Sequence, residues 1–585
     1  MRHLLVYLKE YKKECVLAPL FKMLEAVFEL LAPLVMAAVI DVGIAGRDTD
    51  YIVKMCLVMV LLGVVGLVCS VTAQYFSAKA ACGFGTKVRH ALFGHIQRFS
   101  FTSLDRAGTS ALITRMTSDV NQVQNGVNMV LRLFLRSPFI VVGAMGMAFT
   151  IDVKSALFFV AAIPLLSAVV FAVMYVSIPL YRKVQERLDA VTLYTRENLT
   201  GVRVIRAFHL EREERKAFGE RNQMLTDMQM FVGKISGLMN PVTFFLVNAV
   251  TVGLIYQGAI QVDAGVITQG EVVALVNYMG QILVELIKFA NLIVTITKAI
   301  ACGNRIWGVF ELPEGEREIS YPPQQKEPKT EDEMVMFSHV CLTYETAGAE
   351  SLTDISFTAK KGETIGVIGG TGSGKTSLAH LIPAFYPHTK GEIRIDGKDI
   401  LSYSKEELRR KVGIVMQKPV LFQGTIRENL LWGKKDAADA ELLEALKTAQ
   451  AYEVVEKKEG KLSEEVAQGG KNFSGGQRQR LTIARALVKQ PEILILDDSA
   501  SALDYATDAA LRRAIAGMES QPTVFIVSQR ASSIQYADKI LVLDDGKLAG
   551  VGAHSELLEN CGVYREIYYS QFPEKAGQKG VAVSV

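Results

Sequence analysis

Long uncharged apolar stretches constrain the fold of this chain more than any other feature. Residues 155–181 and 235–262 carry no Asp, Glu, Lys or Arg over 27 and 28 positions, and residues 56–78 carry none over 23. About 20 apolar residues in an α-helix cross the ~30 Å hydrocarbon layer of a bilayer, and buried helices of soluble proteins are seldom so long and so pure. These stretches therefore predict membrane-spanning helices.

Less pure apolar segments complete a predicted set of six spans, at about residues 15–43, 130–151 and 268–300. Lys and Arg concentrate before the first span and in the long stretches 79–128 and 182–234, whereas the intervening connections are short. Because basic residues favour the cytoplasmic side, these stretches, both termini and the polar second half are predicted to face the cytoplasm. We expect a multi-pass protein of a bacterial plasma membrane, in contact with its lipid.

The polar and apolar regions divide the chain into predicted domains. Residues 322 and 323 are consecutive prolines within a highly charged stretch, which is typical of a linker. The predicted parts are an interfacial helix (1–14), a helical membrane domain with long cytoplasmic extensions (15–305), a linker (306–334), a soluble α/β domain (335–571) and a flexible tail (572–585).

The predicted soluble domain contains the sequence pattern of a phosphate-binding loop. Residues 369–376 read GGTGSGKT, which fits G-x-x-x-x-G-K-[ST], between an apolar run and a helical stretch. Converging backbone N–H groups and a helix N-terminus suit phosphate, and a lysine can reach the β and γ oxygens. The pattern predicts ATP and Mg²⁺ as cofactors, with nucleotide contacts from Gly369, Gly370, Thr371, Gly372, Ser373, Gly374, Lys375, Thr376 and Ser377.

A second apolar run, residues 493–496, ends in Asp497 and Asp498. Such a run is typical of a strand buried in a parallel sheet, with its carboxylates at the carboxyl edge where ligands bind. We expect Asp497 and the Thr376 hydroxyl to hold the magnesium.

The segment Phe473-Ser474-Gly475-Gly476-Gln477 resembles the LSGGQ signature of ABC proteins, with Phe at the first position. Gln417 matches the family's Q-loop, and Tyr344 matches the aromatic residue that stacks on adenine. In that family, two ATPase domains sandwich two ATP molecules between phosphate loop and signature. The resemblance implies that Gln417 joins the magnesium shell and that Ser474, Gly475, Gly476 and Gln477 contact the ATP bound by a partner.

The chain departs from the family pattern at two positions. Asp498 stands where the family has a catalytic Glu, and Gln529 stands where it has the switch-loop His. The shorter carboxylate is retracted by ~1.5 Å, and loss of a positioned base costs about 10²- to 10⁴-fold in rate. Glutamine cannot carry positive charge. The doubly altered site is similar to the non-catalytic half of heterodimeric ABC exporters, which implies a partner half-transporter with Glu and His; tolerated variation in an active site is the alternative.

Residues 103–120 and 197–208 resemble the two coupling regions of B-type ABC exporters. With six spans before the ATPase, the resemblance implies export of an amphipathic small molecule, drug, lipid or peptide. A slow homodimeric exporter and an ATP-gated channel or regulatory membrane protein stay open, whereas a soluble DNA-repair ATPase is excluded by the spans. The basic stretches are accounted for as inner-face loops, and no nucleic-acid partner is expected.

Polar residues in the less pure spans are candidates for a substrate pathway, because intramembrane charges usually face an interior or an aqueous cavity. The candidates share helical faces at three- and four-residue steps: Asn277, Gln281, Glu285 and Lys288 near the end of the membrane domain, and Glu25 and Glu29 in the first span. Solvation beyond the bilayer, or pairing of Glu285 with Lys288 within one helix, is the alternative.

Overall fold

The computed structural model describes residues 1–315, 332–345 and 347–574. Most of the predicted linker (316–331) and of the predicted tail (575–585) lies outside the described residues. The chain forms two compact units: the first comprises Met1–Gln97 and Thr109–Leu312, and the second comprises Arg98–Gly108 and the chain from Pro313 onward.

The first unit is helical, and six of its described helices or helical runs are long and apolar enough to cross a membrane. These runs are His3–Ile44, Thr49–Gln97, Thr109–Ile151, Val153–Thr200, Glu211–Asp263 and Gln269–Phe310. Each overlaps one predicted apolar segment, so the prediction of six membrane helices is confirmed. The individual helices of the first unit are Arg2–Tyr11 (3-10), Lys12–Ala38, Val39–Ile44 (π), Thr49–Gln97, Thr109–Thr114, Arg115–Asp119 (π), Val120–Leu133, Arg136–Ile151, Val153–Thr200, Val202–Ala207, Glu211–Gly237, Met239–Asp263 and Gln269–Phe310.

Side-chain caps set the start of two long helices after short connections. Asp152 accepts a hydrogen bond from the Ser155 N–H at 2.7 Å, and Thr268 forms a reciprocal capping box with Glu271. Such caps satisfy backbone N–H groups that have no partner inside the helix. The Asp41 carboxylate adds to the second start by accepting from the Gly270 N–H at 2.7 Å, which links the first and last spans.

The second unit contains the strands β1 (Glu333–Leu342), β2 (Leu352–Lys360), β3 (Thr364–Gly369), β4 (Lys390–Ile395), β5 (Lys398–Asp399), β6 (Val412–Val415), β7 (Gly424–Thr425), β8 (Glu465–Val466), β9 (Ile493–Asp497), β10 (Thr523–Val527), β11 (Lys539–Asp544) and β12 (Lys547–Gly552). Its main sheet has the order β12-β11-β3-β10-β9-β6, in which β12 alone is antiparallel to its neighbour. A separate antiparallel sheet has the order β2-β1-β4-β5, and β7 pairs with β8.

The second unit also contains helices and short 3-10 turns. The helices are Phe101–Ala107, Lys375–Leu381, Lys405–Lys411, Ile426–Leu431, Asp439–Thr448, Tyr452–Glu456, Gly475–Leu487, Tyr505–Ala516, Ala531–Ile534, His554–Asn560 and Gly562–Gln571, with 3-10 turns at Ile400–Ser402, Lys461–Ser463, Gln468–Gly470 and Ser499–Ala502. The predicted α/β architecture of this domain is therefore confirmed.

The parallel strands place the functional loops together. All five residues of β9 and of β10 are buried, as are five of the six in β3. Parallel strands covered on both faces have continuous apolar sequences, and their carboxyl ends meet at one edge where ligands bind. The phosphate loop after β3, the aspartates at the end of β9 and the loop after β10 thus share one edge.

Candidate nucleotide site

The phosphate loop depends on glycine at two positions. Gly374 precedes the helix Lys375–Leu381 and has a φ of 93°. This left-handed conformation is strained for any residue with a side chain. A Cβ on Gly369 would lie 2.1 Å from the Leu543 carbonyl oxygen. The loop can therefore close tightly around a phosphate only with glycine at these places.

Lys375 lies within this loop and is only 8% exposed. Its ammonium donates hydrogen bonds to the carbonyl oxygens of Gly369 at 3.0 Å and Gly370 at 2.6 Å. Burial lowers its pKa from the ordinary lysine value, while the nearby Asp498 and Asp497 oppose the shift. A buried cation held by neutral carbonyl groups suits a phosphate, whose negative charge would stabilise the charged lysine.

Oxygen ligands suited to magnesium converge beside the lysine. The Thr376 hydroxyl donates to Asp497 Oδ1 at 3.2 Å, and Asp497 is 1% exposed. Burial raises the pKa of Asp497, which a divalent cation would counteract. Magnesium prefers oxygen ligands of this kind. The donor set therefore fits Mg²⁺ between Thr376 and Asp497.

Asp498 and Gln417 meet at the same edge. The Gln417 amide Nε2 lies 3.4 Å from Asp498 Oδ2, and the Asp498 backbone is left-handed with φ of 45°. The Asp498 N–H donates to the Val527 carbonyl at 2.9 Å, and its carbonyl accepts from the Ser501 hydroxyl at 2.7 Å. The backbone of the candidate base position is thus held firmly, so the reach of its side chain depends on side-chain length.

A cleft of about 580 Å³ brings most predicted residues together. The predicted residues that line it are Thr371, Gly372, Gly374, Lys375, Thr376, Ser377, Gln417, Asp497, Asp498 and Gln529. Residues 347–351 and the turn Asp545–Gly546 also line the cleft and were not predicted, because nothing in their sequence marks them as chemical. The cleft can enclose a nucleoside triphosphate between a lysine, two aspartates and two glutamines.

Tyr344 is outside the lining of this cleft and stands beside it. Its hydroxyl donates to Ser377 Oγ at 2.9 Å, and burial raises its pKa. Its ring packs edge-on against Tyr386 at 4.9 Å, and the Tyr386 hydroxyl donates to Asp105 Oδ2 at 2.6 Å. Tyr386 therefore lies between Tyr344, the proposed adenine contact, and the short helix Phe101–Ala107.

The signature residues lie apart from the cleft of their own chain. Ser474 is exposed and caps the helix Gly475–Leu487: its Oγ accepts from the Gln477 N–H at 3.3 Å, and Gln477 Oε1 accepts from the Ser474 N–H at 2.9 Å. Phe473 is 3% exposed, so the unusual first residue of the signature fills the core. The capped helix start offers backbone N–H groups to an anion on another molecule.

The candidate pathway residues of the first unit are centred on an arginine that the sequence did not single out. Arg136 is 6% exposed and donates to Glu285 Oε1 at 2.7 Å and to Glu29 Oε2 at 2.6 Å. Ser137 donates to Glu285 Oε2 at 2.7 Å, and Lys288 pairs with Glu285 at 2.8 Å. Glu285 is therefore fully engaged within the helices, which includes the intrahelical pairing that the sequence left open.

The other candidates have separate surroundings. Glu25 pairs with Lys22 on its own helix, and the side chain of Glu29 is 39% exposed despite its contact with Arg136. Asn277 is exposed and donates to the Val273 carbonyl at 3.0 Å, and Gln281 Nε2 lies 3.5 Å from the Glu29 carbonyl. Glu29 thus retains an accessible carboxylate among these residues, whereas Glu285 does not.

Replacing Arg136 by Met should destabilise the first unit by about 3 kcal/mol, because it removes the buried partner of Glu285 and leaves that buried carboxylate to the half-exposed Lys288. Thermal unfolding of the detergent-solubilised protein would measure this. Pairing Arg136→Met with Glu285→Gln should restore part of the loss, and Lys288→Met, which removes a half-exposed partner, is the control. An unfolding temperature in Arg136→Met equal to that of the parent protein would contradict the central role of Arg136.

Two family models match the chain. The model of the ABC transporter transmembrane region matches residues 15–286, and the ABC transporter model matches residues 352–501. These ranges fall on the membrane helices and on the unit that contains the nucleotide cleft.

Curated relatives are similar over almost the whole length. YfiB of Bacillus subtilis (strain 168), an uncharacterized ABC transporter ATP-binding protein, is 36% identical over 578 residues, which cover 99% of this chain and 100% of the relative. YheI of the same organism, a probable multidrug resistance ABC transporter ATP-binding/permease protein, is 36% identical over 494 residues, covering 83% and 82% of the two chains. A solved bacterial Atm1-family ABC exporter with ATP bound is similar in fold, with TM-score 0.76, 23% identity and coverage of 96% and 98%.

Proposed function

The chain belongs to the ABC transporter family, and from this membership we propose that it is the hydrolysis-impaired half of a heterodimeric exporter. The observation that carries the proposal is a nucleotide cleft with intact phosphate and magnesium ligands that is lined by Asp498 and Gln529. In this proposal the cleft binds Mg·ATP tightly and cleaves it slowly. Hydrolysis takes place mainly at a second site, built from the partner's cleft and this chain's signature.

We assign Mg·ATP binding to the residues that contact the charged phosphates and the magnesium ion. The Lys375 ammonium compensates the β and γ oxygens, and the loop N–H groups orient the phosphates. Mg²⁺, when bound, supplies charge neutralisation across those oxygens, with Thr376, Asp497 and Gln417 as its protein-side ligands. These roles require no catalytic base, so the shorter carboxylate at 498 does not remove them, and Gln529 can add a hydrogen bond to the γ-phosphate.

Slow hydrolysis is assigned to the two departures from the family pattern. A base must come within hydrogen-bond reach of the water proton, and the Asp498 carboxylate is one methylene shorter than glutamate on a backbone held by Val527 and Ser501. Gln529 can donate a hydrogen bond to the γ-phosphate but adds no positive charge as that phosphate leaves. Each change alone weakens hydrolysis, and together they favour retention of ATP.

Transport follows from the difference in ATP affinity between conformations. ATP held between two ATPase domains stabilises the closed pair, and hydrolysis at the partner's site allows the pair to reopen. We propose outward movement of an amphipathic molecule across a bacterial plasma membrane, with the ATPase and both termini in the cytoplasm. The similarity to YheI, which is named for multidrug resistance, supports this class of cargo.

Purification of the full chain alone and together with a half-transporter that has the catalytic Glu and the switch-loop His tests the proposal. We expect the pure chain to bind Mg·ATP and to release phosphate at least about 10²-fold more slowly than the mixed complex. Lys375→Ala in the pure chain is the control for binding. Rapid phosphate release by the pure, self-assembled chain would refute the proposal and favour the homodimeric exporter.

A further inference from the structure

The end of the helix Gly562–Gln571 contacts the loop that carries Gln529. The Gln571 side-chain Nε2 donates to the Gln529 carbonyl at 2.8 Å, and its Oε1 accepts from the Ala531 N–H at 2.8 Å. A carbonyl can only accept and an N–H can only donate, so the two contacts determine the orientation of the amide. One side chain thus bridges the backbone on both sides of Arg530.

The rest of this loop is held from other directions. The Ser528 N–H donates to the Val367 carbonyl of β3 at 3.0 Å, and the Arg530 N–H donates to Ser528 Oγ at 3.0 Å. The Arg530 guanidinium donates to the carbonyls of Leu503 at 3.4 Å and Ser501 at 3.2 Å. The loop therefore joins the phosphate-loop strand, the segment after Asp498 and the helix that ends at Gln571.

The helix that carries Gln571 is a firm support. Its side chains Tyr564, Tyr568 and Tyr569 are 0%, 3% and 6% exposed, and the Tyr564 hydroxyl lies 2.7 Å from His554 Nδ1. A side chain on a well-packed element holds its partner more precisely than one on a loop. The two hydrogen bonds of Gln571 therefore connect the loop to a helix that is packed into the core.

We propose that Gln571 is a positioning residue for the nucleotide site, which holds the backbone of residues 529–531 so that the Gln529 side chain faces the cleft. The inference rests on the proposed role of Gln529 at the γ-phosphate. Glutamine suits the position because one short side chain must donate to one backbone group and accept from another. Arg530 also contacts the carbonyls of Ser501 and Leu503, so the loop held by Gln571 is connected to the segment that follows Asp497 and Asp498.

The test compares Gln571→Glu, which keeps the acceptor and loses the donor, with Gln571→Met, which loses both. Ser570→Ala is the matched control, because Ser570 is exposed on the same helix and its hydroxyl donates to the Ile567 carbonyl within that helix. The probe is a fluorescent N-methylanthraniloyl ATP with Mg²⁺, bound to the purified full chain. We expect both Gln571 variants to raise Kd by about threefold to tenfold and Ser570→Ala to leave it unchanged.

A double-mutant cycle with Gln529→Ala separates positioning from general stability. If Gln571 acts through Gln529, Gln571→Met should raise Kd in the parent chain and have little further effect in Gln529→Ala. Amide hydrogen exchange should also rise in the segment 528–535 of Gln571→Met and stay unchanged in Ser570→Ala. Equal effects of Gln571→Met in both backgrounds, or unchanged exchange, would overturn the proposal. These measurements do not depend on the rate of hydrolysis. The positioning role of Gln571 can therefore fail while the proposed function stands, and the proposed function can fail while the positioning role stands.

Discussion

A complex of this chain with a hydrolysing partner should lose about 10²-fold or more of its ATP turnover when Ser474 is replaced by Arg. Ser474 is exposed at the start of the helix Gly475–Leu487, where free N–H groups suit a phosphate. An arginine there would remove the cap and would occupy the space that we assign to the partner's nucleotide. Asp498→Ala in the same complex should have a much smaller effect, because Asp498 belongs to the site that we propose to be slow.

Ser404→Arg provides the matched control for this prediction. Ser404 also caps a helix, Lys405–Lys411, by accepting from the Glu407 N–H at 3.2 Å, and it lies outside the nucleotide cleft. Steady-state phosphate release from the three mixed complexes would measure the effects. An equal loss in Ser474→Arg and Asp498→Ala, or a larger loss in Asp498→Ala, would contradict the assignment of the signature to the partner's site.

The combined change Asp498→Glu and Gln529→His should raise hydrolysis at this chain's own cleft by about 10²-fold or more. The longer carboxylate regains reach toward the water, and the imidazole can carry positive charge beside the γ-phosphate. Both positions line the cleft, so both changes act directly at the candidate nucleotide site. The measurement uses a mixed complex whose partner has its own catalytic Glu changed to Gln, so that the remaining turnover reports this cleft.

Adding Lys375→Ala to the restored chain should remove the gain, because we assign binding of the phosphate to Lys375. Each single change should give only part of the increase. The contradicting outcome is an unchanged hydrolysis rate in a complex that binds the nucleotide and whose partner has an intact signature. The two departures would then not explain slow hydrolysis. The impairment would then have to be sought elsewhere in the chain.

The sequence alone was sufficient wherever the signal is local along the chain. Uncharged apolar length predicts a membrane helix because the bilayer admits no unpaired charge without cost, and each predicted span overlaps an observed helix. The phosphate loop is similarly contiguous, since strand, glycines and helix follow one another in residues 364–381. The apolar run before Asp497 likewise predicted a strand of a parallel sheet with its carboxylates at the carboxyl edge, and β9 is such a strand.

Tertiary structure alone decided which distant side chains meet. Arg136 pairs with Glu285 across 149 positions, and Gln571 holds Gln529 across 42. Such pairs depend on the rotation of one helix against another and on the final placement of a chain segment, which no local periodicity encodes. The sequence therefore determined the spans, the ATPase fold and the two altered residues, whereas packing determined that Glu285 is enclosed and that Gln571 supports the loop beside the cleft.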